Sequence, residues 1–186
     1  MSTKTVTTMM QTQLVVSLFG KLDVVQMADL FEIVQQQQCR ALDSHVLTFG
    51  SRLDMGLRIS GNWDRVTRVE SALREFAQKH QVDVNIYHEQ TPEGREAVLP
   101  YVLDAIGLES ADIAAALLRF CVRQSVSVRE LSTRAYRPAR SVERLIQFRA
   151  EVDIPTSCHL GQFKTDFFDL CDALNLDAAI EPNRTY

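Results

Sequence analysis

Three short runs hold residue types that could do chemistry. Asp43-Ser44-His45 contains the acid, nucleophile and base of a hydrolytic relay. Such a relay needs its side chains to converge within hydrogen-bond reach. Neighbours on a strand point to opposite faces, so this trio is not expected to act as one. Cys158-His159 is an adjacent pair of metal-ligating types. A metal site needs further ligands at converging spacings, and no second pair accompanies it, so a helix start is the expected role. The other histidines, His45, His80 and His88, are scattered. Gly20-Lys21 ends an apolar run but lacks the frame of a G-x-x-x-x-G-K-[ST] phosphate loop, and no G-x-G-x-x-G run exists. The pattern predicts no catalytic residue, no metal and no cofactor.

A fourth feature is basic. Arg119, Arg123, Arg129, Arg134, Arg137, Arg140, Arg144 and Arg149 crowd the later part of the chain. Arg134, Arg137, Arg140 and Arg144 surround one loop and are candidates for docking an acidic partner. The formal net charge of the whole chain is -4. With no helix-turn-helix signal, a protein is the expected partner and direct DNA contact is not expected. Cys39, Cys121, Cys158 and Cys171 lie in or beside apolar runs without C-x-x-C spacing, and are expected as reduced core thiols. No stretch approaches the length of a membrane span, and no apolar stretch of signal-peptide length opens the chain. A cytoplasmic location follows as the default expectation.

The elements that would position these residues come in a repeating order. Leu14 to Phe19 reads as a buried strand closed by Gly20. Asp23 caps a helix from Val24 to about Gln38, whose face carries Met27, Leu30, Phe31 and Val34. Strands over Cys39–Phe49 and Leu53–Ile59 flank a Gly50-Ser51 turn. A second helix, begun by Asn62 or Asp64, carries Val66, Val69, Leu73 and Phe76, and Trp63 is expected as a core anchor. An alternating strand follows from Val82 to Tyr87. After a polar Pro/Gly-containing linker the pattern begins again. A strand over Val98–Ile106 is closed by Gly107, and Ser110 caps a helix bearing Ile113, Ala116, Leu117 and Phe120. Strands over Val126–Ala135 and Leu145–Ile154 enclose a longer loop. Thr156 or Ser157 caps a helix bearing Leu160, Phe163, Phe167 and Leu170, and Asp177–Ile180 closes the unit.

Two copies of one strand-helix-strand-strand-helix-strand unit explain this order better than coincidence. Each unit is expected to fold as an antiparallel four-stranded ferredoxin-like sheet with both helices on one face, an α+β class. The expected organisation is a frayed terminus over 1–13, a first domain over 14–89, a linker over 90–96 and a second domain over 97–186. An open sheet face or edge calls for cover by the sister domain or by another chain, which predicts a homo-oligomer.

The residues also resemble a known family. Glu130-Leu131-Ser132-Thr133-Arg134-Ala135-Tyr136, Val152-Asp153-Ile154-Pro155 with His159-Leu160, and Phe168 to Ala178 are similar to segments of the glycine cleavage system transcriptional repressors, which are tandem ACT-domain proteins. Leu42-Asp43-Ser44 and the spacing from Gly20 to the first helix agree. The resemblance implies a non-enzymatic regulator that holds a transcriptional activator inactive by protein contact, under control of glycine. It further implies an amino-acid site where the first strand turns into the first helix. That places candidate ligand residues at Gly20, Lys21, Leu22 and Asp23, and at Gly107, Glu109, Ser110 and Asp112. Both turns depart from the family's Pro-Gly pair, because Val25 and Asp112 stand where the glycine would be. Two other readings fit this departure: a sensor module whose ligand binding is itself the function, and a structural or oligomerising protein without a ligand.

Overall fold

Alternating apolar residues make the strands, and in a computed structural model each strand set closes into its own sheet. The structure describes residues 12–90, 97–110, 112–139 and 142–184. The chain divides into two compact units, Met1–Glu93 and Gly94–Tyr186. The first runs β1 (Thr12–Gly20), α1 (Val24–Gln36), β2 (Arg40–Phe49), β3 (Arg52–Gly61), α2 (Trp63–His80) and β4 (Asp83–Gln90). The second runs β5 (Val98–Leu108), α3 (Ile113–Arg123), β6 (Ser127–Tyr136), β7 (Leu145–Pro155), α4 (Leu160–Ala173) and β8 (Asp177–Pro182). Sheet orders are β2-β3-β1-β4 and β6-β7-β5-β8, all antiparallel. These are tandem ACT-like ferredoxin folds. Thr12 and Gln13, expected in the lead-in, are strand residues. Residues 1–11 and 91–96 of the expected lead-in and linker lie outside the described residues.

The repeat extends to irregular details. β2 bulges between Ala41 and Asp43, and β6 bulges at the same station between Val128 and Glu130. Each helix is followed by a residue in the left-handed region: Gln38, Gln81, Ser125 and Asn175. The next amide then reaches back five residues, as in Cys39 N to Val34 O at 3.1 Å and Leu176 N to Cys171 O at 2.9 Å. These are Schellman closures made without glycine, each followed by a buried apolar residue: Cys39, Val82, Val126 or Leu176.

The two cores differ in material. The first is mostly aliphatic, with Leu14, Val16 and Leu18 of β1 against Met55 and Ile59 of β3 and Leu30, Val69 and Leu73 of the helices. The second stacks aromatic rings. Phe120 lies 5.2 Å from Phe163 and 5.8 Å from Phe167, and Phe148 is fully buried beside them. Expected faces hold with two exceptions. Phe31 lies at the exposed margin of α1, and Trp63 is 60% exposed, with its ring 5.2 Å from His88. Trp63 is the first residue of α2, where no helix layer covers it, so it anchors no core.

Two expected caps are corrected. Ser110 does not cap α3, because the helix begins at Ile113 after Asp112, whose side chain makes no capping bond. Neither Thr156 nor Ser157 caps α4. His159 does, its Nδ1 accepting the Gln162 amide at 3.3 Å. All four cysteines are free thiols.

Candidate functional site

At the first turn, Gly20 ends β1 and sits against Val82, the residue just before β4. A Cβ on Gly20 would fall 2.5 Å from Val82 Cγ1. The glycine is therefore required by packing. Leu22 packs against the core, and Lys21 is exposed. Asp23 closes the helix with a complete capping box. Its carboxylate accepts the Gln26 amide at 2.8 Å, and Gln26 Oε1 accepts the Asp23 amide at 2.9 Å. Gln26 Nε2 also lies 2.9 Å from His80 Nδ1, tying this turn to the end of α2. The positive end of α1 is thus already occupied by the chain's own carboxylate.

The second turn is built from the same parts and filled differently. Gly107 again touches the residue just before the last strand, since a Cβ there would fall 2.5 Å from Leu176 Cδ2. Asp112 leaves the helix start without a side-chain bond. Ser110 is exposed beside it. Glu109 turns the other way, toward the loop over residues 137–144. Its carboxylate meets Arg144 Nε at 2.7 Å, and its amide donates to the Arg144 carbonyl at 2.9 Å. Leu108, Glu109, Arg137, Val142, Glu143 and Arg144 line a shallow open cleft of about 370 Å³.

This cleft brings together residues that sequence reasoning kept apart. Glu109 is a candidate ligand residue, while Arg137 and Arg144 are candidates for partner docking. Glu143 was in neither group, and its place three residues after Arg140 carried no separate signal. Arg134 does not join them; it stands on β6 opposite Gln147. Arg140 lies outside the described residues. Two guanidinium groups and two carboxylates around one open cleft suit a small zwitterion, whose carboxylate and ammonium ends would each find the opposite charge.

Other constellations offer less chemistry. Asp43 and His45 share the open face of the first sheet, and Ser44 faces the other way, opposite Leu57. The Asp43 carboxylate is held by Arg58, and the His45 ring lies across Gly56, where a Cβ would meet it at 2.5 Å. Burial pushes the Cys39 and Cys121 thiols up, and Cys171 up to about 11, so these are poor nucleophiles near neutrality. Among the described residues, no group of three or more His, Cys, Asp or Glu side chains is placed to hold a metal. None of the described helices is long and apolar enough to cross a membrane.

Comparison with known proteins agrees with the fold. Residues 12–87 match the ACT domain family. The match falls on the first unit, although the residues most similar to the repressors lie in the second. A solved structure of an unknown protein from Galdieria sulphuraria superposes with a TM-score of 0.77 at 17% identity, covering 93% of this chain and 99% of that one. The structure of a candidate glycine cleavage system transcriptional repressor superposes with a TM-score of 0.68 at 20% identity, again over 93% of this chain and 99% of that one. At these identities the likeness is one of fold. No curated protein matches the chain.

Proposed function

We propose that this chain is a cytoplasmic, non-enzymatic regulatory protein that works by binding a protein partner, with a small amino acid such as glycine as its controlling ligand. The partner class is that of the repressors it resembles, a transcriptional activator. The reading is carried by one observation: Arg137 and Arg144 converge with Glu109 and Glu143 beside the turn that follows β5. An amino acid would set its carboxylate against the guanidinium groups and its ammonium against the carboxylates. To do so it must open the Glu109–Arg144 bridge. That bridge is exposed, and such pairs are worth only about 0–1 kcal/mol. A ligand can shift how a regulator meets its partner only by binding the two states unequally. Opening a bridge that ties the loop to the turn would supply that difference.

A thermal-shift screen of the purified chain against the twenty amino acids tests the ligand. A ligand at about 100 times its dissociation constant stabilises the fold by about 2.7 kcal/mol. We expect a rise in melting temperature with glycine or a close relative, and its loss in Arg144→Ala. No shift with any amino acid would leave a second reading, a partner-binding or oligomerising protein without a ligand. The closed capping box at Asp23 already favours that reading for the first unit. A pull-down that recovers no transcription factor would count against the activator.

A further inference from the structure

The open faces of the two sheets, the sides away from the helices, differ at one station. Ser17 stands three residues before Gly20, and Asp104 three before Gly107. In the first sheet Ser17 pairs with Gly56, which pairs in turn with His45. In the second, Asp104 pairs with Arg149, which pairs in turn with Ser132. The second station is filled from within. Arg149 Nη1 lies 3.2 Å from the Asp104 carboxylate, and Gln147 Nε2 lies 3.1 Å from both of its oxygens. The first station has Ser17 and Gly56 where those longer side chains would lie, and it holds an open trough of about 430 Å³.

The lining of this trough is polar and incompletely paired. A Cβ on Gly56 would fall 2.5, 3.0 and 3.1 Å from Cε1, Nδ1 and Nε2 of His45, so the imidazole lies flat across the glycine. His45 is exposed, which leaves the other face of its ring open. Asp54 and Arg58 stand two residues either side of Gly56, on the same face of β3, and both line the trough. Their stations on the strand are about 13 Å apart. Asp54 has no ionic partner among the described residues. Arg58 gives Nη2 to Asp43, but its Nε is buried with no hydrogen-bond partner among the described residues. A buried donor left in that state is costly until an acceptor meets it.

We propose that this trough binds a guanine base, carried as a nucleoside or nucleotide. The base stacks on the His45 ring, as bases do on aromatic side chains. Its ring N–H and exocyclic amine are two donors side by side, and they meet the Asp54 carboxylate, which can only accept. Guanine alone among the common bases offers two adjacent donors on one edge. Its carbonyl oxygen and outer ring nitrogen are acceptors on another edge. That edge turns toward Arg58 and satisfies Nε. A carboxylate at one end and a donor at the other leave, after side-chain reach, the length of one flat bicyclic ring. Adenine sets a ring acceptor beside its amine, so the same carboxylate would repel it. The second unit has no such place, because Arg149 and Asp104 fill it.

Equilibrium dialysis of the full chain against guanosine, its monophosphate, inosine and adenosine tests this site. We expect guanosine to bind with a Kd below about 1 mM. Inosine, which lacks the exocyclic amine, and adenosine should each bind about tenfold more weakly or worse. Equal affinity for guanosine and its monophosphate would mean that the base alone is read, and binding of one alone would name the form that is taken. Asp54→Asn should weaken guanosine about tenfold and erase its advantage over inosine. The triple variant S17D/G56R/H45S gives the first sheet the residues that fill the second, and it should bind no guanosine. Circular dichroism checks that the variants are folded, and Asp54→Asn decides if the triple variant is not. No binding of guanosine at about 1 mM overturns the proposal. So does adenosine bound as tightly, or native affinity in Asp54→Asn. None of these substitutions touches the cleft at Glu109 and Arg144, so the outcome is separate from that of the amino-acid screen.

Discussion

Gly20–Asp23 in the first unit and Gly107–Asp112 in the second occupy the same station of the fold but differ in what fills it. In the first, Asp23 turns inward and satisfies the helix start itself. In the second, Asp112 makes no such bond, and Glu109 reaches out to Arg144. The cause lies in the neighbouring hairpin. β2 and β3 are joined by Gly50 and Ser51 alone, whereas β6 and β7 are joined by residues 137–144. Only the longer loop reaches back over the strand-to-helix turn. A duplicated fold thus keeps one copy as a closed support and opens a charged cleft on the other by lengthening a single loop.

The largest expected effect tests what the two stations share. Gly20→Ala and Gly107→Ala each force a Cβ into the side chain just before the last strand of the unit, Val82 or Leu176, at 2.5 Å. Overpacking of this kind costs about 1–3 kcal/mol. Denaturant unfolding should show both variants destabilised by similar amounts. If either glycine instead served the approach of a ligand, its substitution would spare stability and abolish an amino-acid thermal shift.

A smaller effect tests what separates them. Asp23→Ala removes a capping box and should cost about 1 kcal/mol. Asp112→Ala removes no side-chain capping bond and should cost only a few tenths of that. Equal losses in urea titrations would mean that the two helix starts are alike in solution and that α3 is capped as α1 is.

The sequence foretold the shared architecture better than the difference. Strands and helices followed from apolar spacing, and Asp23 from the usual chemistry of a cap ahead of an amphipathic run. The same logic failed at Ser110, because α3 starts after Asp112 in a helical conformation. It failed at Thr156 and Ser157, because an imidazole nitrogen took the place of a hydroxyl. The helix ends carried no glycine to mark their left-handed residues, so Gln38, Gln81, Ser125 and Asn175 gave no signal. Trp63 is a large apolar residue whose exposure depends on where the helix layer ends, which local pattern does not encode. The cleft was illegible for a related reason. It requires Arg144 to meet Glu109, a contact between residues far apart in sequence.

The smallest expected effect concerns acid, and it again separates the units. In the first, Glu70 of α2 accepts from Arg74 at 2.8 Å and lies 2.6 Å from His88 Nε2 on β4. Hydrogen bonds from Arg74 and then His88 hold its carboxyl below the usual glutamate range. In the second, the matching face of α4 instead sets Lys164 over the ring of Tyr101, 5.1 Å away. A carboxylate with a lowered folded pKa contributes stability that is present above its unfolded value. That contribution is lost as the pH falls through the folded one. Glu70→Gln should therefore lower the melting temperature of the first unit near neutrality. The gap from the native protein should narrow as the pH falls below about 4. Trp63 is the chain's single tryptophan and sits against His88, so its fluorescence follows the first unit. A gap that persists unchanged at low pH would mean that Glu70 acts through packing and not through its charge.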